Sequence, residues 1–244
     1  MREYIQKLVD RQDLTESEAT EAMRTIMSGR ATPAQMGSFL TALRMKGESV
    51  SDITAFARAM RELGQQIHPR TAGRLVDMCG TGGDRVKTFN ISTIASFVVA
   101  GAGVPVAKHG NRAVTSRSGS ADVLEALGAR IDLPPPAVER MIEEIGFGFM
   151  FAPVFHASMR HAISPRREVG IRTVFNVLGP LTNPASAQAQ LVGVYDAALV
   201  RPIATVLRNL GVERAIVVHG VGGLDEASTF GPTVACEVAD GGIV

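Results

Sequence analysis

Between residues 75 and 93 the chain passes from a short apolar segment, through three glycines in four positions, into a run that turns helical at Asn90. A strand that ends on glycine and feeds a helix is the repeating unit of a parallel sheet with crossover connections. Such sheets bind ligands beyond the carboxyl ends of their strands. The unit recurs. Val104-Pro105-Val106-Ala107 precedes a polar loop and a helix from about 119 to 127, and a strand at 190–194 precedes a helix near 197–209 and a further strand at 214–218. The expectation is an α/β fold with a mainly parallel central sheet.

The first part of the chain has a different period. Tyr4, Ile5, Leu8 and Val9 share one helical face. Thr15 with Glu18 forms a capping box, as does Thr32 with Gln35, where Pro33 takes the first helical position. Met36, Phe39, Leu40 and Leu43 form the next stripe, and Ser51 is read as the start of a fourth helix. This predicts a small helical domain at 1–66 and a larger α/β domain at 70–244, with His68-Pro69 between them. Helices near 166–186 are expected to join the helical part.

The formal net charge of +1 gives no general surface for nucleic acid or an anionic membrane, so any anion site must be built locally. Cys79 and Cys236 make neither a zinc-ligand spacing nor a disulfide framework, which fits a reducing, cytoplasmic setting. The opening residues form an amphipathic helix with no apolar signal region. The uncharged stretch 88–107 contains Asn90, Ser92, Gly101, Gly103 and Pro105, and reads as a buried helix and strand, not a membrane span.

Five polar stretches stand at strand ends. Asp77-Met78-Cys79-Gly80-Thr81-Gly82-Gly83-Asp84 lets the backbone turn sharply and offer free N–H groups to an anion. It lacks the Gly-Lys-Ser/Thr of a P-loop, and Arg85 stands where a dinucleotide fingerprint needs glycine. Asn90 is a natural N-cap, and Ser92 and Thr93 add hydroxyls to that helix start. Lys108-His109-Gly110-Asn111-Arg112 brings two cations, an imidazole and an amide to one loop. His109 is read equally as a general base or as a hydrogen-bonding staple. Arg166-Arg167 can grip a carboxylate. Asp225-Glu226 suits a hard cation such as Mg²⁺, which keeps waters and reaches substrate phosphates.

Taken as an ordered set, these stretches closely resemble the anthranilate phosphoribosyltransferase family. The likeness continues through Ser118-Gly119-Ser120-Ala121-Asp122, Arg172-Thr173-Val174-Phe175-Asn176 and Leu178-Gly179-Pro180-Leu181-Thr182-Asn183-Pro184, and ends in Gly223-Leu224-Asp225-Glu226. The resemblance implies a two-domain enzyme of the nucleoside phosphorylase/phosphoribosyltransferase type. It implies transfer of the phosphoribosyl group of phosphoribosyl pyrophosphate to the amine of anthranilate, in tryptophan biosynthesis. By position, Gly80, Gly83, Asp84, Thr88, Asn90, Ile91, Ser92, Thr93, Lys108, His109, Gly110, Asn111, Arg112, Ala113, Val114, Thr115, Ser116 and Ser120 are expected to hold the phosphoribosyl pyrophosphate. The stretch 108–116 is expected to close over it as a loop. Gly80, Asn111 and Arg166 are expected to meet anthranilate. Lys108 and Arg166 are expected to support the transition state and the substrate, with no general base assigned. Ser92, Asp225 and Glu226 are expected to hold Mg²⁺, two ions per site, in a homodimer built through the helical domain.

The family usually runs well past Val244, so the α/β domain is expected to be C-terminally incomplete. Ala157 and Pro165 stand where the family usually has proline and valine, which bears on how Arg166 is held. Three other readings have distinct signatures. A pyrimidine-nucleoside phosphorylase would show phosphorolysis of thymidine or uridine. A non-catalytic nucleic-acid-binding paralogue would show a basic groove and eroded substrate motifs. A truncated dimerising module would fold and show no turnover.

Overall fold

The computed structural model describes residues 1–83, 86, 88–113 and 118–244. It opens with four helices, α1 (Arg2–Val9), α2 (Glu16–Met27), α3 (Pro33–Lys46) and α4 (Val50–Leu63). The capping boxes at Thr15/Glu18 and Thr32/Gln35 both form. The fourth helix starts earlier than its sequence reading. Ser49, not Ser51, is the cap: its hydroxyl accepts from Asp52 N at 3.0 Å, and Asp52 Oδ2 accepts from Ser49 N at 3.0 Å. Serine three residues before an acid outweighs the one beside it, because only that spacing satisfies two orphan N–H groups at once.

A seven-stranded sheet follows, in the spatial order β3-β2-β1-β4-β5-β6-β7. Its members are β1 (Val76–Gly80), β2 (Val106–Gly110), β3 (Phe147–Phe151), β4 (Ala189–Gly193), β5 (Arg214–Gly220), β6 (Thr233–Ala239) and β7 (Gly242–Ile243). The first five run parallel, and β6 and β7 turn back antiparallel, so the sheet is mainly parallel. Helices α5 (Ile91–Gly101), α6 (Ser120–Ala126), α7 (Pro135–Ile145) and α11 (Val200–Asn209) make the crossovers. Short α8 (Ala152–Phe155), α9 (Arg160–Val169) and short α10 (Phe175–Leu178) lead the chain from β3 back to the bundle. There α9 packs on α3 and α2, and α10 on α4.

One apolar cluster joins the bundle to the sheet. Phe56 is wholly buried, edge-on to Phe39 with ring centroids 6.1 Å apart, and the cluster continues through Leu178 and Ile203 to Val192 and Val217 on β4 and β5. Truncating a phenylalanine in such a place costs about 3–5 kcal/mol, so the bundle is fastened to the sheet rather than tethered to it. Among the described residues no helix is long and apolar enough to cross a membrane.

Candidate active site

The ends of strands β1 and β2, the start of α5, Asp225 and Glu226 after β5, and the helix α9 surround a cleft of about 1050 Å³. Strand β1 ends at Gly80, after which Gly82 and Gly83 take left-handed backbone with φ of 65° and 78°. Thr81 N donates to Gly193 O at 2.9 Å, and Gly82 N donates to Asp225 Oδ2 at 2.9 Å. The glycine turn thus faces the acidic turn that follows β5.

That approach requires glycine on both neighbouring strands. A Cβ on Gly80 would stand 2.6 Å from Asp225 Oδ2, and one on Gly193 would stand 1.5 Å from the Asp225 backbone oxygen. Next to it, Glu226 Oε1 accepts from Ser92 Oγ at 2.7 Å. Burial raises the pKa of Glu226, and the neighbouring Asp225 charge raises it further, while the Ser92 hydrogen bond opposes both. Two carboxylates held side by side against their own repulsion, with a hydroxyl between chain segments, are an all-oxygen set fit for Mg²⁺. Among the described residues no three His, Cys, Asp or Glu side chains converge to hold a metal by themselves.

Lys108, His109 and Gly110 lie within β2, not in a loop after it. Burial on both faces explains the difference. Both side chains are buried, each with a backbone oxygen to bond, so a polar run can continue a strand. Lys108 Nζ donates to Met78 O at 2.6 Å, in the middle of β1. Between them lies Asp77, fully buried, which accepts from His109 N at 3.1 Å and Asn183 Nδ2 at 2.8 Å. Burial raises its pKa, partly offset by Lys108.

The two readings of His109 separate here. Its Nδ1 lies 3.2 Å from Gly179 O, and a carbonyl only accepts, so Nδ1 carries the proton and Nε2 is the acceptor. Nε2 is buried and has no hydrogen-bond partner among the described residues. Burial, helped by the neighbouring His156, pulls the imidazole pKa down to about 3. A group so far below neutral pH is a poor general base. It is a neutral, oriented hydrogen-bond acceptor on the cleft wall.

Asn90 precedes α5 as read, but its side chain does not cap the helix; its amide donates to Ser118 O at 3.1 Å and ties two strand-end loops together. Arg112 is spent on α6, donating to Asp122 at 3.1 Å and to both Glu125 oxygens at 2.8 and 2.9 Å, above the Phe151 ring. Asn111 and Ser120 meet at the cleft edge, where Ser120 Oγ donates to Asn111 O at 3.3 Å. Gly83, Thr88, Ile91, Thr93, Gly110 and Ala113 also line the cleft, whereas Asp84, Val114, Thr115 and Ser116 lie outside the described residues.

Arg166 is not a surface arginine. It sits half-buried over the face of Phe175, with its guanidinium 4.9 Å from the ring centre, and burial lowers its pKa. Pro165 is accommodated inside α9 and leaves this arrangement intact. Among the described residues no carboxylate pairs with Arg166.

Models of the glycosyl transferase family match both parts of the chain, the helical bundle domain over residues 2–64 and the a/b domain over residues 72–244. The anthranilate phosphoribosyltransferase of Symbiobacterium thermophilum is 58% identical over 241 residues, 99% of this chain and 70% of that protein. The chain belongs to the anthranilate phosphoribosyltransferase family. The family's enzyme from Thermus thermophilus has the same fold, with a TM-score of 0.92 at 46% identity, covering 99% of this chain and 72% of that one. The Saccharomyces cerevisiae enzyme of the family, in complex with PRPP and Mg, aligns with a TM-score of 0.89 at 32% identity, over 96% of this chain and 69% of that one.

Within this family member, several residues matter that sequence reasoning misses. Asp77 reads only as part of a glycine loop, yet a carboxylate inside an apolar strand is itself a signal of a buried network. Asp122 reads only as part of a motif. Its Oδ2 accepts from Ala113 N at 2.9 Å and Gly119 N at 2.8 Å, and so clamps the two ends of the stretch between them. Gly193 carries no local signal, since its need for glycine comes from Asp225, far along the chain.

Proposed function

We infer that this chain transfers the phosphoribosyl group of phosphoribosyl pyrophosphate to the amine of anthranilate, giving N-(5-phosphoribosyl)anthranilate and pyrophosphate, a step of tryptophan biosynthesis. The observation that carries the reading is the convergence, in one cleft, of a glycine turn, an oxygen-rich cation site and the Arg166 fork, in a chain of this family.

The glycine turn and the start of α5 offer N–H groups and hydroxyls to the pyrophosphate. Ser92, Asp225 and Glu226 are the residues that would hold Mg²⁺, and we assign two ions per site. Bound there, Mg²⁺ neutralises the charge that develops on the leaving pyrophosphate. As the bond from C1 to the pyrophosphate oxygen breaks, positive charge grows on the sugar and negative charge on the leaving group. Lys108, on β2 and held by Met78 O of β1, adds a fixed cation toward that negative charge. On the other side, Arg166 takes the anthranilate carboxylate and Asn111 and Gly80 border the ring. The amine nitrogen then bonds to C1 and releases a proton. His109, neutral and buried beside the cleft, is not assigned as the base. Positioning carries much of the rate.

We further read residues 1–66 and 70–244 as two structural units with this cleft at their junction. We also read two copies as meeting through the helical unit, where Val9 and Met45 stand exposed. Light scattering of the purified chain tests that pairing.

A steady-state assay following loss of anthranilate fluorescence with phosphoribosyl pyrophosphate and Mg²⁺ tests the reaction. Turnover that needs the metal and is abolished by Asp225→Ala and by Arg166→Ala is the expected result. A folded chain with no transfer to anthranilate overturns it.

A further inference from the structure

Four consecutive backbone carbonyls, those of residues 179–182, each accept a side-chain hydrogen bond from a different part of the fold. His109 Nδ1 on β2 donates to Gly179 O at 3.2 Å, and Gln190 Nε2 on β4 donates to Pro180 O at 2.9 Å. Arg61 Nε, in the last turn of α4, donates to Leu181 O at 2.8 Å, and His156 Nε2 donates to Thr182 O at 3.0 Å. These carbonyls lie in and just after a short 3₁₀ turn, Gly179–Leu181, where Thr182 N also donates to Gly179 O at 3.3 Å; the last carbonyls of such a turn are normally left to water. Here they are gripped by the sheet, by the bundle and by the chain after β3.

Arg61 is the costly member of the row. It is largely buried, and among the described residues no carboxylate pairs with it. Burial alone draws its pKa down to about 10. A neutral side chain of the same size is cheaper in such a place. What the guanidinium adds is a hydrogen bond of fixed direction from the bundle to Leu181 O.

The gripped segment and the short helix α10 just before it border the cleft. Phe175, on α10, carries the guanidinium of Arg166. Gly179 O fixes the tautomer and the plane of His109. The exit of α4 is seated on the same region, because Gln65 N donates to Phe155 O at 2.8 Å and the absent side chain of Gly64 leaves room for the His156 ring.

We propose that Arg61 is a positioning residue for the aromatic acceptor: through Leu181 O it fixes residues 175–182, and through them the Arg166 fork and the His109 ring. The seating of the helical bundle thereby sets affinity for anthranilate and leaves affinity for phosphoribosyl pyrophosphate unchanged. The inference rests on the acceptor site assigned above.

The test uses the full chain as Arg61→Met, Arg61→Lys and Gln190→Met, with both substrates varied and hydrogen exchange followed over residues 175–186. The expected result for Arg61→Met is a KM for anthranilate raised about tenfold, roughly 1.4 kcal/mol, a KM for phosphoribosyl pyrophosphate within about twofold, and faster exchange over that segment. Arg61→Lys keeps the charge and lacks the Nε–H, and behaves as Arg61→Met. Gln190→Met releases the same row from the sheet side and gives the same split, which keeps the test open if Arg61→Met does not fold. Equal rises in both KM values, or a lowered melting temperature with both KM values unchanged, overturn the proposal. If the wild-type chain transfers nothing to anthranilate, the reaction assignment fails on its own. Exchange over residues 175–186 that Arg61→Met leaves unchanged then overturns the coupling separately.

Discussion

The backbone oxygen of Asp225 lies 1.5 Å from where a Cβ on Gly193 would stand. No side chain fits at Gly193 while the acidic turn keeps its place. Gly193→Ala therefore pushes Asp225 and Glu226 away from Gly82 and Ser92. The expected outcome is a loss of kcat/KM on the order of 100-fold or more, consistent with misplacing catalytic groups by about an ångström, and a higher Mg²⁺ requirement. Initial rates against Mg²⁺ concentration check it, and an unchanged metal dependence refutes it.

Glu226 sets an acid limit on metal binding. Its pKa is raised, chiefly by burial, so the native carboxyl stays protonated to higher pH than a free glutamate. Stability from the neutral form is present below the unfolded value and is lost as pH rises through the raised native value. Metal binding has the opposite dependence, since the cation needs the carboxylate. Mg²⁺ affinity is thus expected to fall as the pH drops through the raised pKa, and excess Mg²⁺ moves that limb to lower pH. Glu226→Gln removes the limb and weakens the metal at every pH. Mg²⁺ titrations from pH 5 to 8 measure both effects.

His109 makes the fold acid-sensitive. Its native pKa is about 3, against 6.5 for the ordinary imidazole. The ring is neutral when folded and ionises when unfolded, so its contribution is complete above pH 6.5 and declines toward pH 3. The slope is about 1.4 kcal/mol per pH unit. Lowering the pH from 7 to 5 is expected to cost roughly 2 kcal/mol, or about 4–8 °C in Tm. His156, whose pKa burial also lowers, adds to the same trend. Thermal melts of His109→Asn should show a flatter dependence. An equally steep one places the acid sensitivity elsewhere.

Much of this is legible in the residues. Capping boxes announce α2 and α3, and the alternation of apolar runs with glycine turns announces the parallel strands. The misreadings share one cause. Lys108 and His109 look like loop residues until Met78 O and Gly179 O are brought against them, and Asn90 looks like a cap until Ser118 O offers a better partner. Strand β3 hides because Phe147-Gly148-Phe149-Met150-Phe151 has no alternation, being covered on both faces. Strand β6 lies past the last motif and pairs antiparallel, outside the repeating unit. Local chemistry marks where a ligand can bind, whereas tertiary partners decide which atoms remain free to bind it.

Asp122 holds backbone at Ala113 and Gly119. Its carboxylate, kept below the usual range by the N–H groups of Ala113 and Gly119, gathers the two ends of a stretch at the cleft edge. Asp122→Asn weakens two charge-assisted hydrogen bonds and is expected to raise the KM for phosphoribosyl pyrophosphate by roughly five- to tenfold, about 1–1.5 kcal/mol. The KM for anthranilate should stay within about twofold. Two-substrate kinetics check the split, and a selective rise for anthranilate instead contradicts it.

The cation site joins Gly82 to Asp225 and Ser92 to Glu226 across 143 and 134 residues of chain. Contacts of such separation close late, after β4 and β5 have found their neighbours. A folding chain therefore owns its bundle and its first strands before it owns any place for the metal. Mg²⁺ has nothing to grip in the early ensemble, so it acts on the way out rather than on the way in: it slows unfolding and leaves the folding rate nearly untouched.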